Sequence, residues 1–118
     1  MNVSRRDVVL VVFPYPSGTG NKVRPALVIQ NDLDNGRLLN TIVVQITSVT
    51  RRAREMTQVL VDIATPEGTQ TGLLFDSVVN CANVATVDKS LVLRKLGEMP
   101  DVLMRQVELA IDAALALP

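Results

Sequence analysis

The sequence contains no histidine and no tryptophan, a single cysteine, and only three aromatic residues in 118. Each scarcity removes something. Without histidine there is no Ser–His or Cys–His nucleophile system and no paired-histidine acid–base chemistry. Most transition-metal sites lose their commonest ligand as well. The lone Cys81 excludes an intrachain disulfide and a cysteine-based zinc cluster. In the apolar setting "SVVNCANV" it reads as a small buried hydrophobe. With aromatics at 3% and hydrophobic residues at 47%, the core must be built from Val, Leu, Ile and Ala. That composition is globular, and its length suits one domain over residues 1–118. The longest apolar run, "VVLVVF" at 8–13, is strand length, far short of a bilayer span. No signal-type apolar segment with a cleavage site follows "MNVSRRD". These features predict a cytoplasmic protein with no membrane partner.

The net charge is zero, but its distribution is not even. Through Arg54 there are eight basic and three acidic residues; after it there are four basic and nine acidic. A polarised chain of this kind either presents one basic face to a phosphate backbone or interleaves its halves in space so that the field averages out.

Along the chain, "DVVLVVF" (7–13) predicts a strand buried on both faces, and "PYPSGTGNK" (14–22) a long exposed loop. "VRPALVIQ" (23–30) predicts a second strand, with Pro25 at its start or on an edge because it has no N–H. "NDLDNGR" (31–37) reads as a turn signalled by Asn-Gly, and "NTIVVQI" (40–46) as a third strand. Further strands are expected at 58–63 and within 73–88, separated by a turn region at 65–72, and a short one at "LRKLGEM". The segment from Pro100 onward is the one clear helix, with Asp101 as N-cap. Leu103, Val107, Ile111 and Leu115 form its apolar stripe, while Arg105, Glu108 and Asp112 face water. Short strands followed by a helix predict a mainly β fold: a small, strongly bent sheet or barrel that protects its edges by dimerising.

Two polar features stand at strand mouths: Arg24 before Pro25, and Thr47-Ser48 after Ile46. "GTGNK" and "SGTG" have the spacing of neither a phosphate loop nor a nucleophile elbow. If their strands are neighbours, Arg24 and Thr47 can converge on one small anion, since arginine offers a planar fork of donors and threonine a hydroxyl. Spacing alone favours a surface salt bridge at Arg24 and an ordinary strand-end threonine.

"RRDVVLVVFPYPSGTGNKVRPALVIQND", "VVQITS", "DSVVNCANVATVDKS" and "LRKLGEM", in this order, resemble the MazF/PemK family of toxin ribonucleases over nearly the whole chain. The resemblance implies a small SH3-like β barrel with a C-terminal helix, working as a homodimer and held in check by a MazE-like antitoxin. It implies metal-independent cleavage of single-stranded RNA by 2′-hydroxyl attack, leaving 2′,3′-cyclic phosphate and 5′-hydroxyl ends, with no cofactor. The family's catalytic arginine falls on Arg24 and its threonine on Thr47, with Ser48 alongside. Arginine, with a pKa above about 12, is a poor general base and is better suited to stabilising transition-state charge. RNA-binding candidates are Tyr15, Lys22, Arg51, Arg52, Arg54 and Asn83. Tyr15 either stacks on a base or covers the end of the fold, and the arginines either touch phosphates or form a solvated charge run. The chain departs from the family pattern at Arg6, where glycine is usual before the aspartate. It departs again at "ANVA" (82–85), where the family has "DQIR". Two alternatives remain: a non-enzymatic CcdB-like gyrase-binding toxin, and a catalytically weakened member that only dimerises and binds antitoxin.

Overall fold

The computed structural model describes residues 1–13 and 22–118. The loop expected at 14–22, apart from Lys22, and Tyr15 with it, lie outside the described residues. The elements run β1 (Asp7–Phe13), β2 (Lys22–Val28), α1 (Asp32–Arg37), β3 (Asn40–Thr47), β4 (Gln58–Val61), α2 (Pro66–Gln70), β5 (Ser77–Asp88), a 3-10 turn (Lys89–Leu91), β6 (Val92–Glu98) and α3 (Asp101–Leu115).

The six strands form one antiparallel sheet in the order β4-β5-β3-β2-β1-β6. Alternate residues of the central strands feed two cores. Val8, Leu27, Val44 and Ile46 pack under α3 with its Leu103, Met104, Val107 and Ala110. Val9, Val11, Phe13, Ala26, Val28 and Val43 form the core of the opposite face with Val87 and Val92. Two buried faces explain why β1 reads as an uninterrupted apolar run.

The mainly β fold with a C-terminal helix agrees with expectation, but the sheet stays open and "barrel" is too strong. The segment after β4 closes the gap with backbone in place of a ladder. Gly72, at φ +71, lies so close to β6 that a Cβ there would meet Leu96 O at 2.1 Å. Across the contact, a Cβ on Gly97 would meet Gln70 O at 2.4 Å. Only glycine permits this approach at either position.

Six local expectations are corrected. Residues 31–37 are a capped helix in place of a turn: Asn31 Oδ1 accepts from Asp34 N–H (2.8 Å), and Asp32 and Asp34 occupy the first turn. Its carboxylates are held below their ordinary range, Asp32 chiefly by the Arg5 backbone N–H and Asp34 chiefly by the Asn31 side chain. Residues 66–70 are likewise helical, with Thr65 as N-cap and Pro66 in the first turn. The strand at 73–88 begins only at Ser77, and the one at 58–63 ends at Val61. Asp101 is not the N-cap of α3: that position belongs to Pro100, which makes no side-chain cap, and Asp101 pairs with Arg6. The stripe of α3 is buried through Ala110, but Leu115 is 58% exposed.

Arg6 has φ +83, the left-handed region where glycine is comfortable. Its backbone is clamped from both sides: its N–H donates to Val28 O and its carbonyl accepts from Met99 N–H, both at 2.9 Å. Cys81 is fully buried under α3, and burial pushes its thiol up to about 11. Among the described residues, no helix is long and apolar enough to cross a membrane.

Candidate active site

The site begins with a missing hydrogen bond. Ile29 N–H donates to Ile42 O at 2.9 Å, so the inward-bonding positions of β2 toward β3 recur every second residue, at Leu27 and then Pro25. Proline has no N–H to give, and the ladder stops at Ala26↔Gln45. Beyond that point the β2–β3 pairing ceases. Continuing the same register places Pro25 opposite Ile46 and Arg24 opposite Thr47. β1 still pairs with this half of β2, Leu10 with Pro25 and Val11 with Arg24, so Arg24 keeps a rigid mount. Pro25 was expected at the start of its strand or on an edge; it lies instead in the middle of β2, an inner strand, at a position paired only with β1.

A cavity of about 440 Å³ opens at this point. Arg24, Thr47 and Ser48 all line it, so the three catalytic candidates are brought together. Buried Ile46 and half-buried Leu10, Leu73 and Leu96 supply its apolar wall. Gln45, Ser77 and Arg94 add polar groups, and among the described residues no Asp or Glu lines it. A chain of zero net charge thus concentrates two arginines in one carboxylate-free cleft. Thr47 Oγ1 accepts from Val49 N–H at 3.1 Å, which orients the oxygen and leaves its own hydrogen to donate.

The RNA-binding candidates are more scattered. Lys22 is exposed at the start of β2 and Asn83 is half-buried; neither lines the cavity. Asn83 Nδ2 donates to Gln45 Oε1 at 3.0 Å, and Gln45 does line it. A bulge makes this contact: opposite the Val44–Gln45 step, β5 pairs through Val84 and then Asn80, so residues 81–83 loop out and re-aim Asn83. Arg51, Arg52 and Arg54 follow Val49 on an exposed turn. Arg52 is engaged by Glu55 through two bonds of 2.9 Å, and the Glu55 carboxyl is held low by that contact.

The sequence reading missed Arg94, Gln45 and Phe75. Arg94 reaches the cleft because Leu10 pairs with it on one side and with Pro25 on the other. Nothing local in "LRKLGEM" says which strand it joins. Phe75 falls in the stretch expected to hold strands, yet it precedes β5 and is 68% exposed among the cleft's lining residues.

Fold and cleft together define a small open-sheet β protein with a cationic, carboxylate-free pocket where the β2–β3 pairing ends. The family described as PemK-like, MazF-like toxin of type II toxin-antitoxin system matches residues 4–115, and the chain belongs to it. It is 33% identical to endoribonuclease EndoA of Bacillus subtilis (strain 168), covering 99% of this chain and 97% of that protein. Among solved structures it is similar to the Mycobacterium tuberculosis toxin MazF-mt6, with a TM-score of 0.78 at 26% identity, covering 96% of this chain and 99% of the other. The same fold, at TM-score 0.78 and 24% identity, occurs in a mycobacterial endoribonuclease solved in complex with its cognate antitoxin, with 98% and 97% of the chains covered.

Proposed function

We propose that the protein is the endoribonuclease toxin of a type II toxin–antitoxin system, cleaving single-stranded RNA in the cytoplasm. The observation that carries this reading is that Arg24, Thr47 and Ser48 line one cleft just beyond the last β2–β3 pair, Ala26–Gln45. An RNA strand supplies its own nucleophile, the 2′-hydroxyl, so the protein has to align it with the phosphorus and neutralise the charge that builds on the phosphoryl oxygens. Arg24 would hold the transition-state charge with its planar fork and donate toward the leaving 5′-oxygen. Thr47 would donate its hydroxyl hydrogen to a non-bridging oxygen, with Ser48 beside it. The absence of carboxylates among the described lining residues favours a polyanion.

Lys22, Arg51 and Arg54 would contact flanking phosphates. Asn83 would act through Gln45, and Tyr15 would stack on a base. We further propose that the protein works as a homodimer neutralised by a MazE-like antitoxin. Dimerisation has apolar surface to cover, since Leu60, Val84, Leu93 and Leu109 are all more than a third exposed in the single chain.

The test is incubation of the purified protein with single-stranded RNA in excess chelator, followed by end-group analysis. Fragments with 2′,3′-cyclic phosphate and 5′-hydroxyl ends are expected. No cleavage, or 5′-phosphate ends, overturns the reading. Gyrase inhibition without RNA cleavage would replace it with the binding-toxin alternative.

A further inference from the structure

The register that joins Arg24 to Thr47 leaves the opposite wall of the cleft unexplained. That wall is built from Arg94 on β6 and the segment Gly72–Phe75. Arg94 is exposed, and among the described residues it makes no ion pair. Its neighbour Lys95 is committed to both Glu98 (2.7 Å) and Asp7 (3.3 Å). Arg94 is therefore a cation kept off the surface charge network and placed beside a pocket without carboxylates. Leu10 sits between Pro25 and Arg94 in the sheet, so Arg94 stands two strands, roughly 10 Å, from the Arg24–Pro25 step. Because Arg24 and Arg94 both line the cavity, one extended ligand can meet both.

Phe75 stands at the rim of the same cleft on a segment tied down on both sides. Its carbonyl accepts from Ser77 Oγ at 2.8 Å, Asp76 Oδ1 accepts from Ile63 N–H at 3.0 Å, and Gly72 is locked against β6. Phe13, the other phenylalanine, is in the core, whereas Phe75 and its neighbour Leu74 are 68% and 80% exposed. A fixed, exposed aromatic beside an uncommitted arginine is the pairing that binds a nucleotide: a π face for the base and a fork for the phosphate.

We propose that Phe75 and Arg94 form a nucleotide subsite next to the Arg24–Thr47 centre, where a base flanking the scissile phosphate stacks on Phe75 while Arg94 holds that nucleotide's phosphate. The proposal rests on the cleft being an RNA site. Stacking tolerates any base, so the subsite contributes affinity and positioning more than sequence choice.

The test measures binding of a fluorescent single-stranded oligonucleotide with 2′-deoxy sugars, which cannot undergo 2′-hydroxyl attack, alongside cleavage of its RNA counterpart. Wild type, Phe75→Ala, Phe75→Trp, Arg94→Ala and Arg94→Glu are compared, with thermal unfolding to verify the fold. Phe75→Ala is expected to weaken binding about 5- to 100-fold, and Phe75→Trp to retain it. Arg94→Ala is expected to lower the slope of log affinity against log salt by about 0.7, the signature of one lost phosphate contact on a single strand, with Arg94→Glu weaker still. Cleavage by the wild type with unchanged binding in all variants overturns the subsite and leaves the nuclease reading intact. Binding that depends on both residues, without cleavage, supports the subsite and defeats the nuclease reading. Neither binding nor cleavage defeats both. An acidic peptide that needs both residues while the oligonucleotide does not would assign the surface to a protein partner and overturn the proposal.

Discussion

The two ends of the β2–β3 pair differ as much as two parts of one hairpin can. At the α1 end the strands are sealed by a buried, fully satisfied amide cluster. Asn35 Nδ2 donates to Gln30 O (2.9 Å), while its Oδ1 accepts from both Gln30 Nε2 (3.0 Å) and Thr41 Oγ1 (2.8 Å). Lys89 Nζ adds a bond to Asn35 O at 2.7 Å. At the other end a proline withholds one donor, the pairing ceases, and Arg24, Thr47 and Ser48 surround the opening. One segment, "RPALVIQND", thus carries both halves of the design. Its first two residues make the site; Gln30, Asn31 and Asp32 at its other end make the mount. The comparison shows where stability is concentrated and where it has been given up for access.

Substitutions at the two ends should therefore separate activity from stability. Arg24→Ala is expected to lower the cleavage rate by about 10²- to 10³-fold, the usual loss for one transition-state donor, with the melting temperature nearly unchanged. Asn35→Ala should do the reverse, destabilising the fold by on the order of 2–4 kcal/mol, because it strips the buried Thr41 hydroxyl of its partner and leaves the Gln30 amide only its bond to Asn40 O. Denaturant unfolding and single-turnover cleavage on both variants would break the comparison if the effects were swapped.

The mount should also show a pH limit. The Cys81 thiol is raised in the fold, from an ordinary value of 9.0 to about 11, so the folded state keeps its proton where the unfolded chain loses it. Stability is then complete below about pH 9 and declines as pH rises toward 11, by roughly 2–3 kcal/mol if the full shift is realised. Unfolding at pH 8 and pH 10.5 should show a smaller loss in Cys81→Val than in the wild type.

Pro25→Val sharpens the comparison by restoring the missing donor. The ladder is expected to extend toward Ile46, narrowing the cleft and misplacing Arg24. Cleavage should fall about tenfold with stability little changed, and the new amide at position 25 should be protected from hydrogen exchange. The smallest effect is expected at Arg6→Gly. Relief of a left-handed φ is worth about 1 kcal/mol, offset in part by the exposed pair with Asp101, and the net gain should stay under about 1 kcal/mol by thermal unfolding.

Much of this architecture was legible in the sequence where periodicity is strong. β1 was expected over 7–13 and spans Asp7–Phe13; β3 extends one residue beyond its expected end; the terminal helix differs mainly at its cap. Two of the errors share a cause, since residues 31–37 and 65–72 were read as turns where side-chain caps stabilise short helices. At the site, Arg24 and Thr47 stood out through the family resemblance, although Arg24 lies inside β2 and only Thr47 ends its strand. Arg94 and Phe75 did not, because what brings them to the cleft is the pairing of β6 with β1 and a glycine contact between distant segments.

The central claim is that Arg24 and Thr47 act on one phosphate across the opened ladder. It is tested most directly by a double-mutant cycle on the cleavage rate, with Arg24→Ala, Thr47→Ala and the double variant measured on one RNA under single-turnover conditions. The expected result is that both single variants are impaired and that the double variant is clearly faster than the product of their effects requires, because removing either partner already disrupts the shared contact. Fully multiplicative losses, or a Thr47→Ala enzyme as active as the wild type, would contradict it.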